Sequence, residues 1–172
     1  MAIAINRVTN ANIYVNGNNL LGRAEEVTLP DVKMKFTDHK ALGMIGTMEF
    51  PSGVEKLEAK IKWNSWYTDV WQQVSNPYNA VQLMVRCSVE TYSSVGRISE
   101  QPLVTFLVGQ FKNIPLGTYK QHDNAEYESM MSVTACKQII NGVTVLEYDA
   151  LSNIFRSNGV DLLAQYKINT GA

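Results

Sequence analysis

The residues with the widest chemical reach in this chain are two histidines and two cysteines. His39 and His122 belong to the type that serves as general base, proton shuttle or metal ligand. Cys87 and Cys136 belong to the type that serves as thiolate nucleophile, metal ligand or disulfide. Their spacing supports none of these roles. Neither histidine has a partner at HxxxH spacing, the cysteines form no CxxC, and no GxSxG accompanies the His122-Asp123 pair. Both histidines fall in stretches that read as solvated loops. Cys87 lies on the apolar side of a strand pattern, so two buried free thiols are expected, and a disulfide stays open if the two strands are neighbours. This cysteine usage fits a reducing cytoplasm.

The other candidates fail for similar reasons. Glu25 and Glu26 are adjacent on a strand and point to opposite faces, so they cannot act as a carboxylate pair. Glu55 and Glu58 do not share a strand face either. Gly43 and Gly46 form a GxxG that precedes neither a capped helix nor a Lys-Ser/Thr, which a phosphate cradle needs. Trp63, Trp66, Tyr67 and Trp71 lie near Lys60 and Lys62 and suggest a stacking surface for single-stranded nucleic acid. Trp66 and Trp71 have helical spacing, however, and read as core. The sequence therefore predicts no catalysis, no cofactor, no metal and no small-molecule ligand.

The totals agree with a folded structural domain. A chain of 172 residues predicts one domain and can bury a core without staples. The net charge of −1 lacks the basic excess of a duplex-binding protein. Only 18% of residues are charged, slightly low, which hints at surface withheld from solvent by assembly. The first residues lack the charged start and apolar run of a secretory signal, and no run approaches the roughly 18 apolar residues of a membrane helix. A soluble chain is expected.

The elements that must position these residues are mostly strands. Ile13, Tyr14 and Val15 run into Asn16-Gly17, a tight hairpin signal, with Leu20 and Leu21 returning. Val27 and Leu29, then Val32, Met34 and Phe36, alternate with a phase change at Pro30, which predicts a kink or bulge and puts Asp31, Lys33 and Lys35 on the opposite face. Leu57, Ala59, Ile61 and Trp63 alternate with Glu58, Lys60 and Lys62, one face buried and the other wet. A helix is expected over 65–75, capped by Asn64 or Ser65, with Trp66, Val70, Trp71 and Val74 on one apolar stripe and Pro77 ending it. Residues 81–91 alternate as a strand with Cys87 on the apolar side, 92–101 read as a polar loop, and 103–111 as a strand buried on both faces. After a loop over 113–124, a strand over 127–140 puts Met131, Val133, Ala135 and Ile139 on one face. Asn141-Gly142 turns it into 143–148. Residues 149–157 are ambiguous, and 160–168 read as a short helix with Leu162, Leu163 and Tyr166 as its apolar side.

Residues 25–63 organise the chain. Their two strands flank a connection over 38–53 that carries Ala41, Leu42, Met44, Ile45, Met48 and Phe50 with Gly43, Gly46 and Gly53. It is too apolar for a solvated loop or a disordered one. It reads as an arm that buries apolar residues against another molecule, its glycines letting backbone pack closely. The expected fold is mainly β, an antiparallel barrel or sandwich with one packed helix and a long strand-connecting arm. It forms one domain over 1–172, with the arm at 38–53, the helix segment at 64–75 and a C-terminal segment at 158–172.

The order and spacing of several short stretches resemble the FII-type major tail tube proteins of contractile-tailed bacteriophages and R-type tailocins. They are Asn12-Ile13-Tyr14-Val15-Asn16-Gly17, Val27-Thr28-Leu29-Pro30, Gly43-Met44-Ile45-Gly46, Leu57-Glu58-Ala59, Gly117 with Lys120, Asn141-Gly142 leading to Leu146-Glu147-Tyr148-Asp149, and Asn158-Gly159-Val160-Asp161-Leu162-Leu163. The resemblance implies a homohexameric ring with four strands of each subunit joined in one barrel around a lumen. Rings stack into a tube inside a sheath, and sheath contraction drives the tube through the envelope. It further implies assembly in the host cytoplasm, contacts with sheath, baseplate and tail terminator proteins, and, in a phage, DNA passing through the lumen without specific binding. The arm maps onto the ring-stacking segment over 40–50, which gives Ala41, Leu42, Gly43, Met44, Ile45, Gly46, Met48 and Phe50 as inter-ring contacts. Asp31, Lys33, Lys35, Glu58, Lys60 and Lys62 become lumen-facing. Lumens in this family are usually acidic, and the four lysines depart from that. Either other strands supply acid, for instance Glu126 and Glu128, or the lumen is nearer neutral. The alternative to a tube subunit is a non-catalytic β-sandwich binding module such as an adhesin or carbohydrate reader.

Overall fold

A computed structural model describes residues 3–171. Residues 1, 2 and 172, which end the expected 1–172 domain and 158–172 segment, lie outside the described residues. The chain is an antiparallel β structure that bends on itself in the manner of a sandwich and does not close into a barrel. Strands β1 (Ile5–Val15) and β2 (Asn18–Asn19) form the hairpin expected at Asn16-Gly17, both turn residues taking positive φ. Strand β3 (Ala24–Thr28) pairs with β6 (Leu57–Trp63). Between them, β4 (Met34–His39) and β5 (Met48–Val54) form a separate two-stranded hairpin. Helix α1 (Thr68–Val74) leads to β7 (Val81–Ser93), β8 (Gly96–Phe111), β9 (Tyr127–Ile140) and β10 (Val143–Asp149). Strands β11 (Ile154–Ser157) and β12 (Val160–Asp161) and helix α2 (Ala164–Thr170) close the chain.

Strand β9 produces the bend. One edge pairs with β8 from Met131 to Ile140. The other is shared: Tyr127 to Val133 pairs with β6, and Ala135 to Ile140 with β10. The sheet thus splits into β3–β6–β9 and β1–β7–β8–β9–β10, and the alternating apolar residues of both halves meet. Leu57, Ala59, Ile61 and Trp63 from β6, with Met131 from β9, share a core with Ile13, Val15, Val81, Leu83 and Leu107. The strict alternation of β6 fixes its register, because a one-residue slip would expose this whole set.

Several expectations need correcting. The stretch over 92–101 is not a loop: β7 and β8 continue to a tight turn after Ser93, paired as Thr91↔Ser99 and Ser93↔Gly96. Its residues look loop-like because this tip projects beyond the core and no face is selected for burial. Strand β8 is buried on one face, at Thr105, Leu107 and Phe111, and only half-buried at Val104, Phe106 and Val108. On β9, Met131 and Val133 are buried as expected, but a register shift beside Thr134 replaces Ala135 with Cys136 on the core face and moves Ile139 outward. Cys87 and Cys136 are free, on β7 and β9, strands that β8 separates. Burial pushes both thiols up.

The helix is shorter than the 65–75 expected. Its first flanking residue is Tyr67, in extended conformation, and no side chain caps it. Asn64 is occupied elsewhere: its amide donates to the Gly22 carbonyl at 2.6 Å and its Oδ1 accepts from the Tyr67 hydroxyl at 2.8 Å. Trp66 therefore precedes the helix and stays 46% exposed, while Val70, Trp71 and Val74 are buried. The C-terminal helix starts at Ala164 and buries no residue; Leu162, Tyr166 and Ile168 face solvent.

At Gly109 the β8 backbone lies close against β9. A Cβ there would stand 2.0 Å from the Ser132 carbonyl oxygen, which is backbone and cannot swing away. Gly109→Ala is expected to destabilise the fold by about 1–3 kcal/mol through overpacking. A urea midpoint lowered at unchanged slope checks it.

The carboxylate of Glu147 links three strands, accepting from Lys137 Nζ of β9 at 3.2 Å and from Arg156 Nη1 of β11 at 3.2 Å. The Lys137 bond, then Lys137's and Arg156's charge, hold Glu147 below the ordinary value of 4.5. A carboxyl depressed by folding contributes stability above its unfolded value and loses it as pH falls through the folded one. The thermal midpoint is expected to drop as pH is taken from neutral to below 4.5, and Glu147→Gln to flatten that dependence.

Candidate functional site: the projecting arm and the charged sheet face

The 38–53 segment has more structure than a connection. After Thr28 the chain leaves the β3–β6 sheet through Leu29, Pro30 and Val32, then pairs with itself as Phe36↔Pro51, Thr37↔Phe50, Asp38↔Glu49 and His39↔Met48. Gly53 takes φ +146 beside the irregularity that skips Ser52, a conformation that favours glycine. Pro51 and Gly53 disguise β5 in the sequence. The hairpin is exposed along nearly all its length, with Phe36, Leu42, Met44, Ile45, Met48 and Phe50 open to solvent and Leu42 and Ile45 fully so. Ala41, Gly43 and Gly46 are exposed at its tip with them. Two-stranded hairpins are marginal alone, and an apolar surface of this kind marks an interaction site.

The six candidate lumen residues fall into two groups. Glu58, Lys60 and Lys62 share the wet face of β6. Asp31 and Lys33 lie in the connection, 3.6 Å apart, and Lys35 is on the hairpin. Pro30 is thus where the chain leaves the sheet, not where a continuous strand changes phase. On the β6 face the lysines meet acid from β3, from β9 and from the loop before β9. Lys62 Nζ lies 3.3 Å from Glu25 and 3.4 Å from Glu126, Lys60 lies 3.8 Å from Glu128, and Lys112 and Lys56 lie 2.6 and 3.1 Å from Glu58. The hydrogen bond from Lys112 holds the Glu58 carboxyl below its ordinary value, and that to Glu25 raises Lys62. Glu128 of β9 and Glu126, just before it, pair with Lys60 and Lys62 on this face.

At the far end of β6, Trp71 packs between Trp63 and Tyr127, with ring centroids at 6.4 and 5.2 Å, and Trp66 lies over it at 4.5 Å. Trp63 Nε1 donates to Ser129 Oγ at 2.9 Å. Gly117 brings the 112–126 loop onto this cluster, since any Cβ there would meet the Tyr127 ring at 2.3 Å. Sequence reasoning missed this loop's role. The signal was Gly117 within an uncharged Asn113–Tyr119 stretch.

His39 lies edge-on to Phe50 on the hairpin and His122 in the loop at φ +62. Among the described residues, no group of three or more His, Cys, Asp or Glu could hold a metal ion. Among the described residues, no helix is long and apolar enough to cross a membrane.

A mainly-β chain with paired surface charge and its apolar excess on a projecting hairpin has the make-up of a self-assembling structural subunit. The chain matches the family model for phage tail tube protein FII over residues 5–171. It is similar to the tail tube protein of Escherichia phage P2, at 24% identity over 164 residues, covering 93% of this chain and 94% of the relative. The chain belongs to the phage tail tube protein FII family, in agreement with the resemblance carried by its motifs, and is a structural subunit of a tail tube.

Proposed function

We propose that the chain forms homohexameric rings that stack, through the β4–β5 arm, into the hollow inner tube of a contractile tail. The observation that carries this reading is the arm itself, an apolar hairpin detached from the main sheet and uncovered by its own chain. Strand β3 pairs only with β6, and β1 pairs with β2 only at its last two residues, so both keep long open edges among the described residues. Open edges invite pairing with another chain, and a head-to-tail interface that closes yields a ring. The arm then joins one ring to the next.

In this reading the Glu58, Lys60 and Lys62 face lines the lumen. Its paired charges give a surface with little net attraction for DNA, which would pass without specific binding. Asp31, Lys33 and Lys35 lie nearer the joint between rings. Sheath, baseplate and terminator proteins contact the outside and ends, the tube assembles in the host cytoplasm, and sheath contraction drives it through the envelope. Native mass spectrometry at low protein concentration tests the ring: hexamers of the 19.2 kDa chain are expected. Monomers as the sole species across a concentration series would overturn it.

A further inference from the structure

We infer that the surface receiving the arm of a second copy is the 112–120 loop, with Leu116 and Ile114 meeting the arm's apolar tip and Lys120 meeting its acidic neck. The inference rests on the proposed role of the arm and names its partner surface.

Strand β5 runs into β6 at Leu57, so the arm extends from the Leu57 end. The 112–126 loop joins Phe111 to Tyr127, and Tyr127 is paired with Trp63, so the loop lies at the opposite end. Copies stacked head to tail therefore bring the arm end of one to the loop end of the next. The hairpin is long enough for that, since six residues of strand span about 20 Å.

The surfaces match in chemistry. The tip over 41–47 carries no charge, and neither does the loop over 113–119. Leu42 and Ile45 are fully exposed on the tip, and Leu116 and Ile114 are 75% and 43% exposed on the loop. Behind the tip, Asp38 and Glu49 are directly opposed across the hairpin. Like charges in that position repel, and neither has an ion-pair partner among the described residues. Lys120 follows the apolar part of the loop and is likewise without one. Lys120 of a second copy, placed against the Asp38–Glu49 pair, supplies the ion pair that these carboxylates lack among the described residues of one chain.

Electron microscopy of purified rings tests this with three proteins. Leu116→Glu with Lys120→Glu is expected to leave rings intact and shorten tubes at least tenfold, as does an arm variant, Asp38→Lys with Glu49→Lys. Combining Lys120→Glu with the reversed arm restores tube length, an outcome a purely structural role would not give. If the loop variant elongates like wild type while the arm variant does not, this inference fails and the arm reading stands. If both elongate normally, both readings fail. Should the loop variant not fold, Ile45→Cys with Leu116→Cys in assembled tubes is treated with a short bismaleimide. Cross-linked subunit pairs are expected, and their absence overturns the assignment.

Discussion

Replacing Met44 and Ile45 together by aspartate is expected to leave the subunit folded and its rings intact but to abolish tube growth. Both side chains are exposed in the single chain, Ile45 fully, and surface changes of this kind alter folding stability by about 0.5 kcal/mol or less. At the proposed joint between rings the same positions would be desolvated. Each buried, unpaired carboxylate then costs several kcal/mol, and every ~1.4 kcal/mol is tenfold in an association constant. A joint repeated around a ring multiplies the penalty. Sedimentation checks the outcome: material that stays at ring size while circular dichroism is unchanged. Tubes of normal length would remove the arm from the stacking interface.

The second large effect is on the fold. Trp71→Ala is expected to destabilise the subunit by about 3–5 kcal/mol. Helix α1 has only seven residues and no side-chain cap, so it cannot hold itself together. It persists because Val70, Trp71 and Val74 are buried, and Trp71 is the piece that touches both Trp63 and Tyr127. Its Nε1 is buried without a hydrogen-bond partner, which costs about 1–3 kcal/mol. Trp71→Phe removes that unpaired donor while keeping an aromatic ring, and is expected to cost much less than Trp71→Ala. Denaturant unfolding of both variants checks this. A loss below about 1 kcal/mol for Trp71→Ala would place the ring outside the core.

What could be read from the residues alone follows where burial selects a pattern. β6 was legible because Leu57, Ala59, Ile61 and Trp63 must all face one core. The Asn16-Gly17 and Asn141-Gly142 turns were legible because positive φ demands such residues. β5 was not, because the hairpin faces solvent on both sides and burial imposes no alternation on Met48–Val54. The β7–β8 tip stayed hidden for the same reason. Trp66 had the spacing of a core residue, but Asn64 and Tyr67 hold the preceding turn extended and start the helix after it. The phase of Ala135 and Ile139 was lost at one irregular position, Thr134. Of the candidate site, the apolar arm was visible as a chemical excess. The grouping of Glu58, Lys60 and Lys62 away from Asp31, Lys33 and Lys35 depends on where the chain leaves the sheet, which Pro30 marks but does not direct.

The central claim is that this chain builds a tube from stacked rings, and negative-stain electron microscopy of the purified protein tests it most directly. The account predicts hollow tubes or short stacks of six-fold rings, lengthening with protein concentration. Uniform single subunits under all conditions, with no ring or tube in any field, would contradict it.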